Sequence, residues 1–158
     1  MAGVFAVSVA LAGATAPTAL AAPPPNPAPP EVTVTIQDSS PATDVSCNFY
    51  ASKPNWSANR MTGTGGIKTC SGGPVACASQ VDLEYYNEFS SRWMTTGTKS
   101  QAQCAPPLRS STAAANCIHH SDDDTLPYRT TTYGTFVSAG GGHASGVANS
   151  PVLYLACV

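Results

Sequence analysis

Cysteine content constrains the fold of this chain more than any other feature of its sequence. The chain has six cysteines, and all of them lie between residues 47 and 157. An even number of cysteines in a small chain is typical of exported proteins, because thiols stay reduced in the cytosol. The short, turn-rich segment between Cys104 and Cys117 favours a bond between these two residues. We therefore expect three disulfide bonds, formed among Cys47, Cys70, Cys77, Cys104, Cys117 and Cys157.

A structural zinc site is the main alternative use for several cysteines. Such sites usually contain cysteine pairs separated by about two to four residues. Six residues lie between Cys70 and Cys77, and the chain contains no CxxC pair. The sequence therefore predicts disulfides rather than metal ligands, and we expect neither a metal nor any other cofactor.

The first 21 residues have the pattern of a signal peptide. An apolar run over residues 4–13 is followed by small residues that end in Ala19-Leu20-Ala21, which is an A-x-A cleavage pattern. No lysine or arginine precedes Lys53, so the usual basic start is lacking, and a start codon placed downstream of the true one explains this. A buried core helix is the alternative interpretation. We expect a secreted, extracellular protein whose signal peptide spans residues 1–21.

Charge is sparse along the whole chain. Seven basic and nine acidic residues among 158 give a net charge of −2, whereas soluble domains typically carry charge on about a quarter of their residues. Such a weak field cannot hold a phosphate backbone or an anionic membrane. No apolar run reaches the roughly 20 residues that cross a bilayer. The sequence therefore predicts no nucleic-acid partner and no membrane partner.

A proline-rich arm with a strand at its end follows the predicted cleavage site. Residues 23–30 contain six prolines in eight positions, which favours an extended polyproline conformation. Directly after them, Val32, Val34 and Ile36 alternate with polar residues, as in a half-buried β-strand. Two interpretations stay open for residues 22–44. The strand joins the sheet of its own domain, or the arm binds the sheet edge of a partner protein through these three apolar residues.

Residues 45–158 have the pattern of a disulfide-bonded β domain. Short alternating segments are separated by clusters of Gly, Pro, Asn and Ser, as in antiparallel sheets. The predicted strands of this part are residues 46–51, 61–70, 78–86, 90–97, 128–138 and 152–157. We therefore expect an all-β fold, either a small disulfide-stapled sandwich or an open barrel, with about six to seven strands.

Alternation within the predicted strands also assigns faces. In the strand at residues 78–86, the side chains predicted to face the core are Val81, Leu83 and Tyr85, and those predicted to face solvent are Asp82, Glu84 and Tyr86. Phe89 and Trp93, which follow this strand, are further predicted core residues. The three alanines at residues 113–115 favour a short helical turn.

Few segments have the composition of a catalytic site. Residues 119–124 read His-His-Ser-Asp-Asp-Asp, but neighbours in an extended chain point in different directions, and a metal needs convergent ligands. We interpret this segment as a solvated acidic turn. No Gly-x-Ser-x-Gly motif is present, and His143 lies in a glycine-rich segment that predicts a hairpin tip. The sequence therefore predicts a protein that is not an enzyme.

Two other segments have the composition of binding surfaces. Tyr50 and Trp56 lie in a loop-rich segment, where exposed aromatic rings would bind a sugar or anchor a protein; placement in the core is the alternative. Pro106, Leu108 and Arg109 lie in a proline-stiffened loop beside Cys104. A protease-inhibiting loop needs such stiffness, because rigidity lowers the entropy lost on binding; an ordinary long loop is the alternative interpretation.

Three parts of the chain carry a resemblance: the arm over residues 22–38, the cysteine-rich β domain and the last segment, residues 150–157. They resemble small secreted β proteins of high-GC Gram-positive bacteria. Within that set the chain is most similar to the adaptor subunits of umbrella-shaped polymorphic-toxin particles. The resemblance implies a β domain that joins a lectin-like subunit to a stalked toxin subunit. It also implies that an extended N-terminal strap of the adaptor binds the toxin subunit. It implies that Val32, Val34 and Ile36 anchor this strap. We therefore expect a secreted, non-catalytic adaptor with protein partners in the extracellular space.

A second, partial resemblance implies a different function. Residues 69–77 and 104–107 are similar to segments of secreted subtilisin inhibitors, which implies a serine-protease inhibitor with Arg109 as the specificity residue. Those inhibitors have four cysteines rather than six, and they have a helix where residues 79–86 favour a strand. A carbohydrate-binding module that uses Tyr50 and Trp56 is the third hypothesis.

Overall fold

The computed structural model describes residues 28–37, 44–102, 109–118 and 125–156, and these residues form ten β-strands without a helix. The strands are β1 (Glu31–Ile36), β2 (Val45–Ala51), β3 (Asn55–Ser57), β4 (Arg60–Ser71), β5 (Ala76–Asn87), β6 (Arg92–Gln101), β7 (Arg109–Asn116), β8 (Thr125–Val137), β9 (His143–Asn149) and β10 (Leu153–Ala156). The predicted all-β class is confirmed. The predicted signal peptide and about half of residues 22–44 lie outside the described residues.

The strands form two antiparallel five-stranded sheets. In the first sheet, β1 pairs with β2, and the long strand β4 pairs with β2 and β3 along one edge and with β7 along the other. In the second sheet, β8 pairs with β9 and β10 along one edge and with β5 along the other, and β6 pairs with the far edge of β5. Neither sheet closes on itself, so the fold is a sandwich.

The core lies between the two sheets and consists of two adjoining clusters. One is centred on Phe49 and Phe136, whose ring centroids are 6.3 Å apart, and the other on Met61 and Tyr128. Both clusters contain residues of both sheets, because alternate residues of every long strand point inward. The shared core of the two sheets therefore follows from period-2 alternation.

The six strands predicted in residues 45–158 are present as β2, β4, β5, β6, β8 and β10, with small differences at their ends. Three strands, β3, β7 and β9, were not predicted. The predicted helical turn at residues 113–115 is wrong, since these residues lie in β7 and Ala113 is buried opposite Gly63 of β4. Small side chains at this pair leave room for the second sheet, so tertiary packing overrides the helix propensity of alanine.

The predicted faces of β5 need two corrections. Val81 and Leu83 are buried in the core as predicted, but Asp82 and Glu84 on the opposite face are only 5% and 4% exposed. Phe89 is not a core residue, because it lies on the turn between β5 and β6 and is 87% exposed. Trp93 is half-buried, and its ring packs on the outer face of the second sheet.

Strand β1 joins the sheet of its own chain, which is the first of the two interpretations of the arm. It pairs with β2 from Glu31 opposite Tyr50 to Ile36 opposite Val45. Its apolar side chains, those of Val32, Val34 and Ile36, pack against the cluster around Phe49. The assignment of these three residues to a partner is therefore corrected: they contribute to the protein's own core.

Two glycines make the position of β1 specific. A methyl group added at Gly146 would lie 2.6 Å from Cγ2 of Val34, and one added at Gly142 would lie 2.9 Å from Cγ2 of Ile36. Real Cβ atoms do not approach so closely, so β1 needs glycine at both positions.

An ion pair holds the start of β1 on the outer face of the first sheet. Lys68 of β4 donates to Glu31, and Asn48 of β2 also donates to this carboxylate, at 3.2 Å. The hydrogen bond from Lys68 is the main reason why the pKa of Glu31 is lowered. A lowered pKa stabilises the folded state above the unfolded pKa, and this contribution is lost as the pH falls through the folded value.

Replacing Lys68 with methionine should raise the pKa of Glu31 towards the ordinary glutamate value, because the main hydrogen bond to the carboxylate is lost. A pH titration of the Glu31 carboxyl carbon by NMR would measure the shift. Lys99→Met, which removes an exposed lysine of β6, is the control and should leave the Glu31 titration unchanged. Identical titrations in wild type and Lys68→Met would show that the ion pair does not persist in solution.

One disulfide is described completely. Cys47 of β2 and Cys70 of β4 are directly opposite in the sheet and are bonded. Cys77 and Cys117 each take part in a disulfide as well. The predicted bond between Cys104 and Cys117 involves Cys104, which lies outside the described residues, as does Cys157.

Candidate binding face

The outer face of the second sheet carries most of the functional side chains in the described part of the chain. It is formed by alternate residues of β5, β6, β8, β9 and β10, and the strand register arranges them in rows across the sheet. The rows change in character along the strands, from aromatic at the β5–β6 turn, through charged, to uncharged polar. This face contains two candidate sites, which are named below the aromatic patch and the polar groove.

A buried ion pair lies at the centre of the face. Nε of Arg129 and Oγ1 of Thr131 each donate to Oε2 of Glu84 at 2.7 Å, and the hydroxyl of Tyr133 donates to Oε1 at 3.4 Å. Both side chains of the pair are shielded, with 22% exposure for Arg129 and 6% for Glu84. Three donors therefore satisfy a carboxylate that would otherwise be costly to bury.

A second buried carboxylate lies one row away. Asp82 accepts from Nε2 of Gln80 at 2.9 Å and from the hydroxyl of Thr95 at 3.4 Å. Burial raises the pKa of Tyr133, and the negative charges of Glu84 and Asp82 raise it further. The hydroxyl of Tyr133 therefore stays protonated at neutral pH and acts as a donor to Glu84.

The aromatic patch consists of Trp93, Tyr86, Pro127, Arg129 and Tyr154. The guanidinium carbon of Arg129 lies 4.2 Å from the centroid of the Trp93 ring, and Tyr86 meets this ring edge-on with centroids 5.4 Å apart. Tyr154 lies opposite Pro127 in the register and is 67% exposed. Because Glu84 holds Arg129 in place, the patch presents a preorganised group of rings with one cationic group among them.

The polar groove lies further along the same face, between β5, β6 and β8. It has a volume of about 440 Å³ and is lined by Ala78, Ser79, Gln80, Ser100, Gln101, Ala102, Tyr133 and Thr135. None of these described lining residues carries a charge. The aromatic ring of Tyr133 is 40% exposed beside the groove.

The predicted aromatic surface of Tyr50 and Trp56 is corrected by the structure. Tyr50 is only 8% exposed, and Trp56 packs against the core cluster around Met61. Both residues lie in strands rather than in an open loop, since Tyr50 lies in β2 and Trp56 in β3. Core placement, the alternative interpretation, is the one observed.

The predicted inhibitory loop is only partly described. Pro106 and Leu108 lie outside the described residues, and so does the segment His119–Asp124. Arg109 is the first residue of β7 and pairs with Ile67 of β4. The rest of the predicted loop lies outside the described residues, so its inhibitory role stays a prediction.

The aromatic patch and the polar groove were not predicted from the sequence. Asp82, Glu84 and Tyr86 were predicted to share one face of β5, but the residues that meet them come from β6, β8 and β10. The signal that would have found them is the matching alternation of Arg129, Thr131 and Tyr133 in β8. Pairing the two strands requires the register, which the sequence does not specify.

Comparison with protein-family models, curated proteins and solved structures finds no significant match to this chain. Within the four described ranges, the structure contains no helix that is long and apolar enough to cross a membrane. The function is therefore inferred from the candidate binding face itself.

Proposed function

We propose that this protein is a secreted, non-catalytic adaptor that binds another protein through the aromatic patch. The supporting observation is the composition of the patch, since tryptophan, tyrosine and arginine are the residues most enriched at the energetic centres of protein interfaces. In the patch, all three types lie together on an exposed sheet face. The ion pair with Glu84 positions Arg129, so little conformational entropy is lost when a partner binds.

The placement of β1 changes how such an adaptor works. Val32, Val34 and Ile36 already pack in the protein's own core, so the proposed interface is the aromatic patch rather than these residues. The resemblance of the sequence to adaptor subunits makes secreted toxin complexes the first place to search for the partner. The disulfide-bonded sandwich acts as a rigid support for the patch.

Affinity capture from culture supernatant, followed by mass spectrometry, tests the proposal. Trp93→Ala should weaken the affinity for the specific partner by at least about thirtyfold, because truncating a central hot-spot residue costs about 2 kcal/mol or more. Less of the partner should therefore be recovered. Val75→Ala is the control, since Val75 is 64% exposed on the β4–β5 turn, away from the second sheet's aromatic row. Equal capture by wild type and Trp93→Ala would contradict the proposal.

A further inference from the structure

The polar groove differs chemically from the aromatic patch, and Tyr133 links the two, because its hydroxyl donates to Glu84, the partner of Arg129. Gln80 of the groove and Tyr86 of the patch both lie on the outer face of β5, six residues apart, which corresponds to about 20 Å along an extended strand. A ligand in the groove would therefore not need to contact the patch. Variants of Trp93 in the patch and of Ser100 in the groove therefore test independent properties.

The outer-face lining of the groove offers uncharged hydrogen-bonding groups. Ser100 and Thr135 contribute hydroxyls, and Gln80 contributes an amide. Each of these groups can donate as well as accept a hydrogen bond. Such a lining matches a ligand that has several hydroxyl groups and no net charge, while the nearby carboxylates of Asp82 and Glu84 disfavour an anion.

Ser79 and Gln101 border the groove from the inner face of the sheet, because they alternate with Gln80 and Ser100 along β5 and β6. Ser79 is 4% exposed, and Gln101 accepts a hydrogen bond from Ser111 of the first sheet at 3.1 Å. The hydrogen-bonding groups on the groove side of the sheet are therefore those of Gln80, Ser100 and Thr135.

The ring of Tyr133 completes the chemistry of the groove. It is partly exposed, and its hydroxyl is directed to Glu84 of the central ion pair. The ring is therefore held in one orientation, with an apolar surface beside the uncharged polar groups. Sugars have both apolar C–H faces and ring hydroxyls, so they match an aromatic surface next to amides and hydroxyls.

We infer that the polar groove binds a neutral carbohydrate, with the ring of Tyr133 stacking on a sugar and Gln80, Ser100 and Thr135 bonding to its hydroxyls. This site goes beyond the proposed adaptor function and lies apart from Tyr50 and Trp56. A volume of about 440 Å³ is in the range of small-molecule sites. It would allow an adaptor to attach to a glycan while the aromatic patch binds a protein.

NMR titration of the full chain, with its disulfides formed, tests this inference. The probes are neutral oligosaccharides of glucose, mannose, xylose and N-acetylglucosamine, and a sulfated oligosaccharide is the charged comparison. At least one neutral probe should shift the amide signals of residues 78–80, 100–102 and 133–135. No shift with any neutral probe, shifts confined to other residues, or a response to the sulfated probe alone would overturn the inference.

Matched variants separate the roles of the tyrosine ring and its hydroxyl. Tyr133→Ala should weaken binding about tenfold or more, whereas Tyr133→Phe keeps the ring and should retain binding. Ser100→Ala removes one exposed hydroxyl of the groove and should weaken binding severalfold without unfolding the chain. Trp93→Ala should leave glycan binding unchanged, so loss of partner capture and loss of glycan binding are distinguishable. Equal affinity in wild type, Tyr133→Ala and Ser100→Ala would contradict the assignment of the groove.

Discussion

Replacing Glu84 with glutamine should lower the free energy of unfolding by about 3 kcal/mol. The substitution removes the charge that compensates Arg129, and breaking a buried ion pair by removing one partner typically costs about 3–5 kcal/mol. We expect the lower end of this range, because the Arg129 side chain keeps 22% exposure to water. Urea denaturation followed by tryptophan fluorescence would measure the loss.

The control for this prediction is Glu88→Gln, the same chemical change at an exposed residue of the β5–β6 turn. Substitutions of this kind change stability by only about 0.5 kcal/mol or less. If Glu84→Gln were as stable as Glu88→Gln, the ion pair would not contribute to the fold. Glu84→Gln should also weaken partner capture, because Arg129 would no longer be held over the Trp93 ring.

Removing the disulfide between Cys47 and Cys70, by replacing both with alanine, should lower the free energy of unfolding by about 3 kcal/mol. The bond closes a chain segment with a sequence separation of 23, and in the chain-entropy account a loop of this length restricts the unfolded state by about that amount. The midpoint of urea denaturation would measure the effect. Ser71→Ala, next to Cys70 in β4, is the control and should keep the wild-type midpoint.

Both cysteines must be replaced together for a clean result. The sulfur atoms of Cys47, Cys70 and Cys77 lie within 4.8 Å of one another. A single replacement leaves one thiol beside the disulfide of Cys77, and thiolates attack adjacent disulfides. Cys47→Ala alone should therefore give a mixture of disulfide isomers by peptide mapping without reduction. A double variant as stable as wild type would show that the bond constrains the unfolded chain very little.

Local patterns predicted strands well where apolar and polar residues alternate. Val32, Val34 and Ile36 identified β1, and Val81 and Leu83 identified the inner face of β5. The patterns failed where side chains are small. The alanines of β7 and the residues around Gly146 in β9 have little hydrophobic alternation, and they form strands because β4 and β8 pair with them.

The burial of polar residues also depends partly on the sequence pattern and partly on the tertiary structure. Period 2 correctly placed Asp82 and Glu84 on the face opposite the core, but it implied that they are exposed. They are buried because Arg129, Thr131 and Thr95 cover them from neighbouring strands. Such coverage depends on which strands are adjacent and in what register.

The sequence by itself determined the all-β class and the main strands, because side-chain alternation along one strand depends only on neighbours in the chain. Only the tertiary structure decided that β1 belongs to its own sheet and that Trp93 and Arg129 meet on the outer face. The physical reason is that both outcomes depend on contacts between distant segments. The fit of Val34 beside Gly146 and the hydrogen bonds to Glu84 exist only when the strands pair in one register.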